Sequence, residues 1–95
     1  IAFIIMPGGL GTLDELTELL TLMQTQTIRP FPVVLFDTAY WQGFLGWLKT
    51  SVLTRGYIAE DDFDLLRVCD DLDTVIEIIQ QWHLKQQVVG TKAVA

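Results

Sequence analysis

Short unbroken apolar runs alternate along this chain with longer stretches in which apolar residues recur every three or four positions. The first run is Ile1-Ala2-Phe3-Ile4-Ile5-Met6. Being rich in β-branched residues and apolar throughout, it predicts a strand buried on both faces, as in a parallel sheet. Residues 12–26 predict a helix with a wide apolar stripe of Leu13, Leu16, Leu19, Leu20, Leu22 and Met23. Arg29-Pro30-Phe31-Pro32 stops it, because proline cannot continue a helix and biases its predecessor away from the α region. Residues 32–36 give a second doubly apolar strand, closed by Asp37-Thr38, which offers a helix cap. A second long helix is predicted over 40–54, on Trp41, Phe44, Leu45, Trp47, Leu48, Val52 and Leu53. Gly43 and Gly46 lie inside it; each costs about 1 kcal/mol relative to alanine, and both a close backbone approach and a tolerant helix account for them.

Residues 55–58 read as a turn. Residues 59–65 form a short helix whose first turn carries Glu60, Asp61 and Asp62, and 66–69 a third short strand. The last helix spans 70–82, with Leu72, Val75, Ile76, Ile79 and Trp82 on one side. Residues 83–95 lose the periodicity and read as a tail. The order β-α-β-α-(α)-β-α with doubly apolar strands predicts an α/β fold, a parallel sheet with helices on both faces. Three strands make a small sheet, which suggests that part of the fold lies elsewhere.

Composition bears on this picture at three points. Ninety-five residues allow one domain, burying roughly 60–65% of its unfolded surface. A hydrophobic fraction of 51% is generous for that size. The excess reads either as surface covered by a larger fold or a second subunit, or as a well-filled core. The formal charge is −6, and Arg29, Lys49, Arg55, Arg67, Lys85 and Lys92 are scattered. That pattern argues against a nucleic-acid polymer as partner and leaves room for a single phosphate held by backbone dipoles. The single cysteine, Cys69, lies in a strand-like run and reads as packing; with no internal disulfide available, a cytoplasmic setting is expected. No run approaches a membrane span, and no basic region precedes the first apolar run.

The candidate chemistry sits where the first strand meets the first helix, in Pro7-Gly8-Gly9-Leu10-Gly11-Thr12-Leu13-Asp14-Glu15. One reading needs no ligand. Thr12-Leu13-Asp14-Glu15 fits a capping box, with the Thr12 hydroxyl on the Glu15 amide and the Glu15 carboxylate reaching back. The other reading starts from the glycines. Gly8, Gly9 and Gly11 leave the backbone bare beside a helix N-terminus, where free amides bind anions. The segment is neither a P-loop, since no Lys-Ser/Thr follows, nor the dinucleotide fingerprint, whose spacing differs. Both readings stand on the residues alone.

Pro-Gly-Gly-X-Gly-Thr-X-X-Glu resembles the signature of the Lonely Guy family, the cytokinin riboside 5′-monophosphate phosphoribohydrolases, many of whose members carry the label "lysine decarboxylase-like". Residues 7–15 fit it at every fixed position. The similarity extends over about residues 1–82, through Met23-Gln24, the 32–36 strand with Tyr40-Trp41, and Gly56-Tyr57-Ile58. Molybdenum-cofactor carrier proteins resemble the same pattern, so a non-catalytic nucleotide- or cofactor-binding carrier is the alternative. The resemblance implies a Rossmann-like domain, of which residues 1–83 would be the C-terminal half and 84–95 a tail. It implies a dimer with its site near the subunit interface, and hydrolysis of the N-glycosidic bond of a purine nucleoside 5′-monophosphate to base and ribose 5-phosphate. By it, Gly8, Gly9, Gly11 and Thr12 hold the phosphate and Glu15 is the catalytic carboxylate, with no cofactor and no metal. The family's catalytic arginine lies upstream of the first strand. Neither Arg29 nor Arg55 stands at the matching position, so the isolated chain is expected to be inactive.

The remaining polar residues read blandly. Lys49 sits mid-helix and Lys85 and Lys92 lie in the tail, with nothing to lower a lysine pKa for Schiff-base chemistry. His83 follows the last helix as a helix-end cation. Asp61, Asp62, Asp70, Asp71 and Asp73 suit helix starts better than a metal cage. Trp41 and Trp47 read as core or dimer surface rather than as a base-stacking platform.

Overall fold

The computed structural model describes residues 2–94, with side chains described as far as Lys85. Strands β1 (Phe3–Ile5), β2 (Val33–Phe36) and β3 (Leu66–Cys69) form a parallel sheet in the order β1-β2-β3. Helix α1 (Leu10–Gln24) joins β1 to β2, α2 (Thr38–Trp47) follows β2, and α3 (Leu72–Val94) follows β3. The α/β architecture expected from the apolar runs is the one adopted.

The centre is β2, where Val33, Val34 and Leu35 are fully buried. Side chains alternate along a strand, so its neighbours sort by face. Val33 and Leu35 pack with Leu16 and Met23 of α1 and Trp41 of α2. Val34 packs with Cys69 of β3 and Val75 of α3. Helices α1 and α2 therefore cover one face and α3 the other.

Strand β1 departs from the expectation of burial on both faces. Phe3 is 43% and Ile4 45% exposed. Among the described residues it pairs with β2 alone. Ile4 lies opposite Val34, on the face of α3, but the buried cluster there gathers over Val34 and Cys69. The Phe3 ring lies against that of Phe31, centroids 5.0 Å apart. An apolar run marks a segment that can be buried; how far it is buried depends on the layers packed around it.

Beyond shifts of two residues at other ends, the helices differ from their predicted limits as follows. Helix α1 starts at Leu10, ahead of the expected Thr12. The predicted 40–54 helix ends as α-helix at Trp47 and widens into a π-helical segment, Leu48–Leu53. The short acidic helix is a 3₁₀ turn, Glu60–Phe63, closed by Asp62, whose carboxylate accepts from the Ala59 amide at 2.8 Å. Residues 84–94, expected to be a tail, continue α3; their Leu, Lys and Gln favour helix without an apolar stripe. A Cβ on Gly43 or Gly46 would meet nothing within 4 Å, so no close backbone approach within the described chain explains either.

Candidate active site

In a parallel sheet the loops leaving the carboxyl ends of the strands converge at one edge. Here that edge carries the glycine turn after β1, the start of α2 after β2, and Asp70-Asp71 after β3. Gly9 is the N-cap of α1, with φ −103° and ψ −149°, and no side chain caps the helix. The first helical hydrogen bond runs from the Leu13 amide to the Gly9 carbonyl, 3.1 Å. The amides of Gly9, Leu10, Gly11 and Thr12 accordingly have no protein acceptor among the described residues.

The capping box is therefore absent. A cap side chain must belong to the residue before the first turn. Gly9 holds that place and Thr12 lies inside the helix. Thr12 serves the turn by its bulk instead. A Cβ on Gly8 would overlap its hydroxyl and come within 2.9 Å of its Cβ. Gly8 is glycine because Thr12 occupies that space. Gly9 and Gly11 face open space, where a Cβ would meet nothing within 4 Å. Their backbone is thus bare toward the outside of the turn.

Glu15 is exposed and makes no hydrogen bond or ion pair to the described protein. It stands one helical turn beyond Gly11 and Thr12, on their side of α1. The fold thus brings together the expected site residues Gly8, Gly9, Gly11, Thr12 and Glu15, with the free amides of Gly9, Leu10, Gly11 and Thr12 and an unpartnered carboxylate a turn away.

Tyr40 joins them without having been expected. Its hydroxyl donates to the Gly8 carbonyl, and its ring meets Trp41 edge-on, centroids 5.0 Å apart. Tyr40 is held in turn by Asp37, which caps α2. Asp37 has φ +82°, and its carboxylate accepts from the Tyr40 amide at 3.3 Å. The Asp37 amide donates to the Cys69 carbonyl at 2.9 Å, and the Thr38 amide to the Asp70 carboxylate at 2.8 Å. One signal could have pointed to Tyr40. It is an aromatic beside the apolar stripe of α2 rather than on it, with a hydroxyl in need of a partner.

At the third loop Asp71 accepts from the Thr74 amide at 2.7 Å, and that bond, helped by the Thr74 hydroxyl, lowers its pKa. Burial pushes the Cys69 thiol up, and Cys69 lies in the core beside Val34. Trp41 is buried at 1% exposure with its indole N–H unpartnered, whereas Trp47 is 56% exposed. The Lys49 ammonium lies 5.6 Å from the centre of the Phe63 ring, and the Lys92 side chain falls outside the described residues. Among the described residues no group of three His, Cys, Asp or Glu side chains could hold a metal. No described helix is long and apolar enough to cross a membrane. A cavity of about 330 Å³ runs beside the far half of α1, and one of about 430 Å³ lies between Arg67 and Lys85. Neither is lined by the glycine turn, which is an open shelf.

A family described as "Possible lysine decarboxylase" matches residues 1–79. A cytokinin riboside 5′-monophosphate phosphoribohydrolase of Mycobacterium marinum is 34% identical over 76 residues, 80% of this chain and 40% of that protein. One of the same name from Mycobacterium tuberculosis is 36% identical over 72 residues, 75% of this chain and 37% of its own length. The cytokinin riboside 5′-monophosphate phosphoribohydrolase LOG of Oryza sativa subsp. japonica is 43% identical over 61 residues, covering 63% and 24%. This chain belongs to that family. It spans two-fifths or less of the length of these relatives. The whole glycine turn, Glu15 and Tyr40 fall within the residues that the family shares.

Proposed function

We propose that this chain carries the phosphate cradle and the carboxylate of a nucleoside 5′-monophosphate phosphoribohydrolase. The observation that carries the proposal is the row of four unpartnered amides at Gly9, Leu10, Gly11 and Thr12, with the free Glu15 carboxylate one turn away. Amides at a helix N-terminus suit a dianionic phosphate. The names of the relatives support a riboside 5′-monophosphate as the substrate.

In the reaction, water adds to the anomeric carbon. The N-glycosidic bond breaks, its electron pair leaves on the base nitrogen, and free base and ribose 5-phosphate result. Such cleavage passes through an oxocarbenium-like state. Glu15 stabilises that positive charge or takes the proton of the attacking water. Full activity requires the part of the relatives that this chain does not span. The enzyme acts as a homodimer or higher oligomer, a reading supported by the exposed apolar side chains of Phe3, Ile4, Met6 and Trp47.

Glu15→Gln tests the proposal in the intact protein. Because Glu15 has no partner to lose, the melting temperature should stay unchanged. Base release from AMP or a cytokinin riboside monophosphate should fall by about 10²–10⁴-fold. Unchanged base release would refute the role. AMP binding without base release in the unsubstituted protein would favour a nucleotide carrier.

A further inference from the structure

We infer that Tyr40 is a positioning residue that sets the direction of the Gly9 amide, the first donor of the phosphate cradle; this rests on the function proposed above. A peptide unit is planar and trans, so its C=O and N–H point in opposite directions. The Tyr40 hydroxyl holds the Gly8 carbonyl, and thereby fixes the Gly8–Gly9 plane. The Gly9 N–H is left pointing away from α2.

The need for such a clamp follows from the residues on either side. Gly8 and Gly9 lack side chains, so their peptide plane rotates more readily than any other on this edge. On one side Thr12 packs into the space where a Gly8 Cβ would lie. On the other side, a Cβ on Gly9 would meet nothing within 4 Å. Without the hydroxyl, nothing described would keep the Gly8 carbonyl from swinging toward the position of the phosphate, where it would repel it.

The clamp is itself anchored. The Tyr40 amide bonds to Asp37, and the Asp37 and Thr38 amides bond to the end of β3. The hydroxyl thus refers the glycine turn to the sheet through α2, across 32 positions of sequence. Pre-set donors spare the ordering cost of binding, and that is the affinity Tyr40 supplies. Tyr40 touches no reacting atom in this scheme, so it acts on binding and leaves the chemical step alone.

Tyr40→Phe tests the inference, since it removes the hydroxyl and keeps the ring against Trp41. In the intact protein, KM for AMP should rise about tenfold with kcat unchanged, and inorganic phosphate should weaken as an inhibitor by the same factor. Affinity for adenosine, which has no phosphate, should stay the same. The NMR shift of the Gly9 amide on phosphate addition should shrink. Unchanged phosphate affinity would overturn the role of Tyr40 and leave the phosphate cradle standing. Equal weakening for adenosine and AMP, or a loss of kcat with KM constant, would also overturn it. If the unsubstituted protein binds neither phosphate nor AMP, the cradle fails, and Tyr40 with it.

Discussion

Helices α1 and α2 start side by side at the same edge of the sheet, and they start in opposite ways. Helix α2 opens on Asp37, whose carboxylate takes the Tyr40 amide, while Asp70 takes the Thr38 amide. Helix α1 opens on Gly9, and its first donors are left unpaired. Both strands that lead in are apolar, so the difference lies in a few residues at the junction. Asp37 even adopts φ +82°, a conformation that disfavours side chains, and still serves as the cap. Where the fold closes a helix it accepts strain to do so; where it leaves one open it uses glycine.

Making α1 start like α2 should break the contrast most severely. Gly9→Asp faces open space at φ −103° and can cap the helix without a clash. Stability should rise by a few tenths of a kcal/mol. AMP affinity, measured calorimetrically, should drop by about a hundredfold or more, because a carboxylate would occupy the donors and repel the phosphate. A variant that binds AMP normally would show that the open helix end is incidental.

Opening α2 is the converse change, with a smaller effect. Asp37→Ala removes the cap and forces alanine into the left-handed region, at a combined cost of about 2–3 kcal/mol in denaturant unfolding. Asp37→Gly loses the carboxylate but relieves the backbone, and should cost less than half of that. Equal losses in the two variants would mean that the positive φ carries no penalty here.

The smallest effect concerns α3, which the Asp71 carboxylate caps through Thr74. Its pKa is lowered in the folded state, so its stabilisation is present above the ordinary aspartate value of 3.8 and is lost as pH falls through the lower folded value. In an acid titration followed by NMR, the Thr74 amide should shift with a midpoint below 3.8. An Asp71→Asn variant should lose that titration. A midpoint at or above the ordinary value would contradict the bond.

Much of this is legible in the residues. The apolar runs mark the first two strands, and the end of the second marks Asp37 as a cap, because both signals are local. The start of α1 is not legible, for an instructive reason. Thr12 and Glu15 carry the capping-box spacing, and glycines resist helix, so the residues alone place the boundary too late. The closeness of Thr12 to Gly8, inside the first turn rather than before it, becomes visible only in three dimensions. Tyr40 is hidden for a similar reason, since its contact with Gly8 spans distant parts of the chain. The half-exposure of β1 depends on which layers cover it, and no pattern within a strand reports that.

The bare side of β1 has a practical meaning for anyone handling this polypeptide. No charged residue occurs before Asp14, so the strand and its turn lack the lysines and acids that normally act as gatekeepers against sticking. Phe3 bonds toward β2 through its amide, which turns the amide and carbonyl of Ile4 outward along the free margin. With Phe3, Ile4 and Met6 exposed around it, that margin is a ready template for another chain. As concentration rises, the polypeptide should self-associate through this strand, which light scattering would detect.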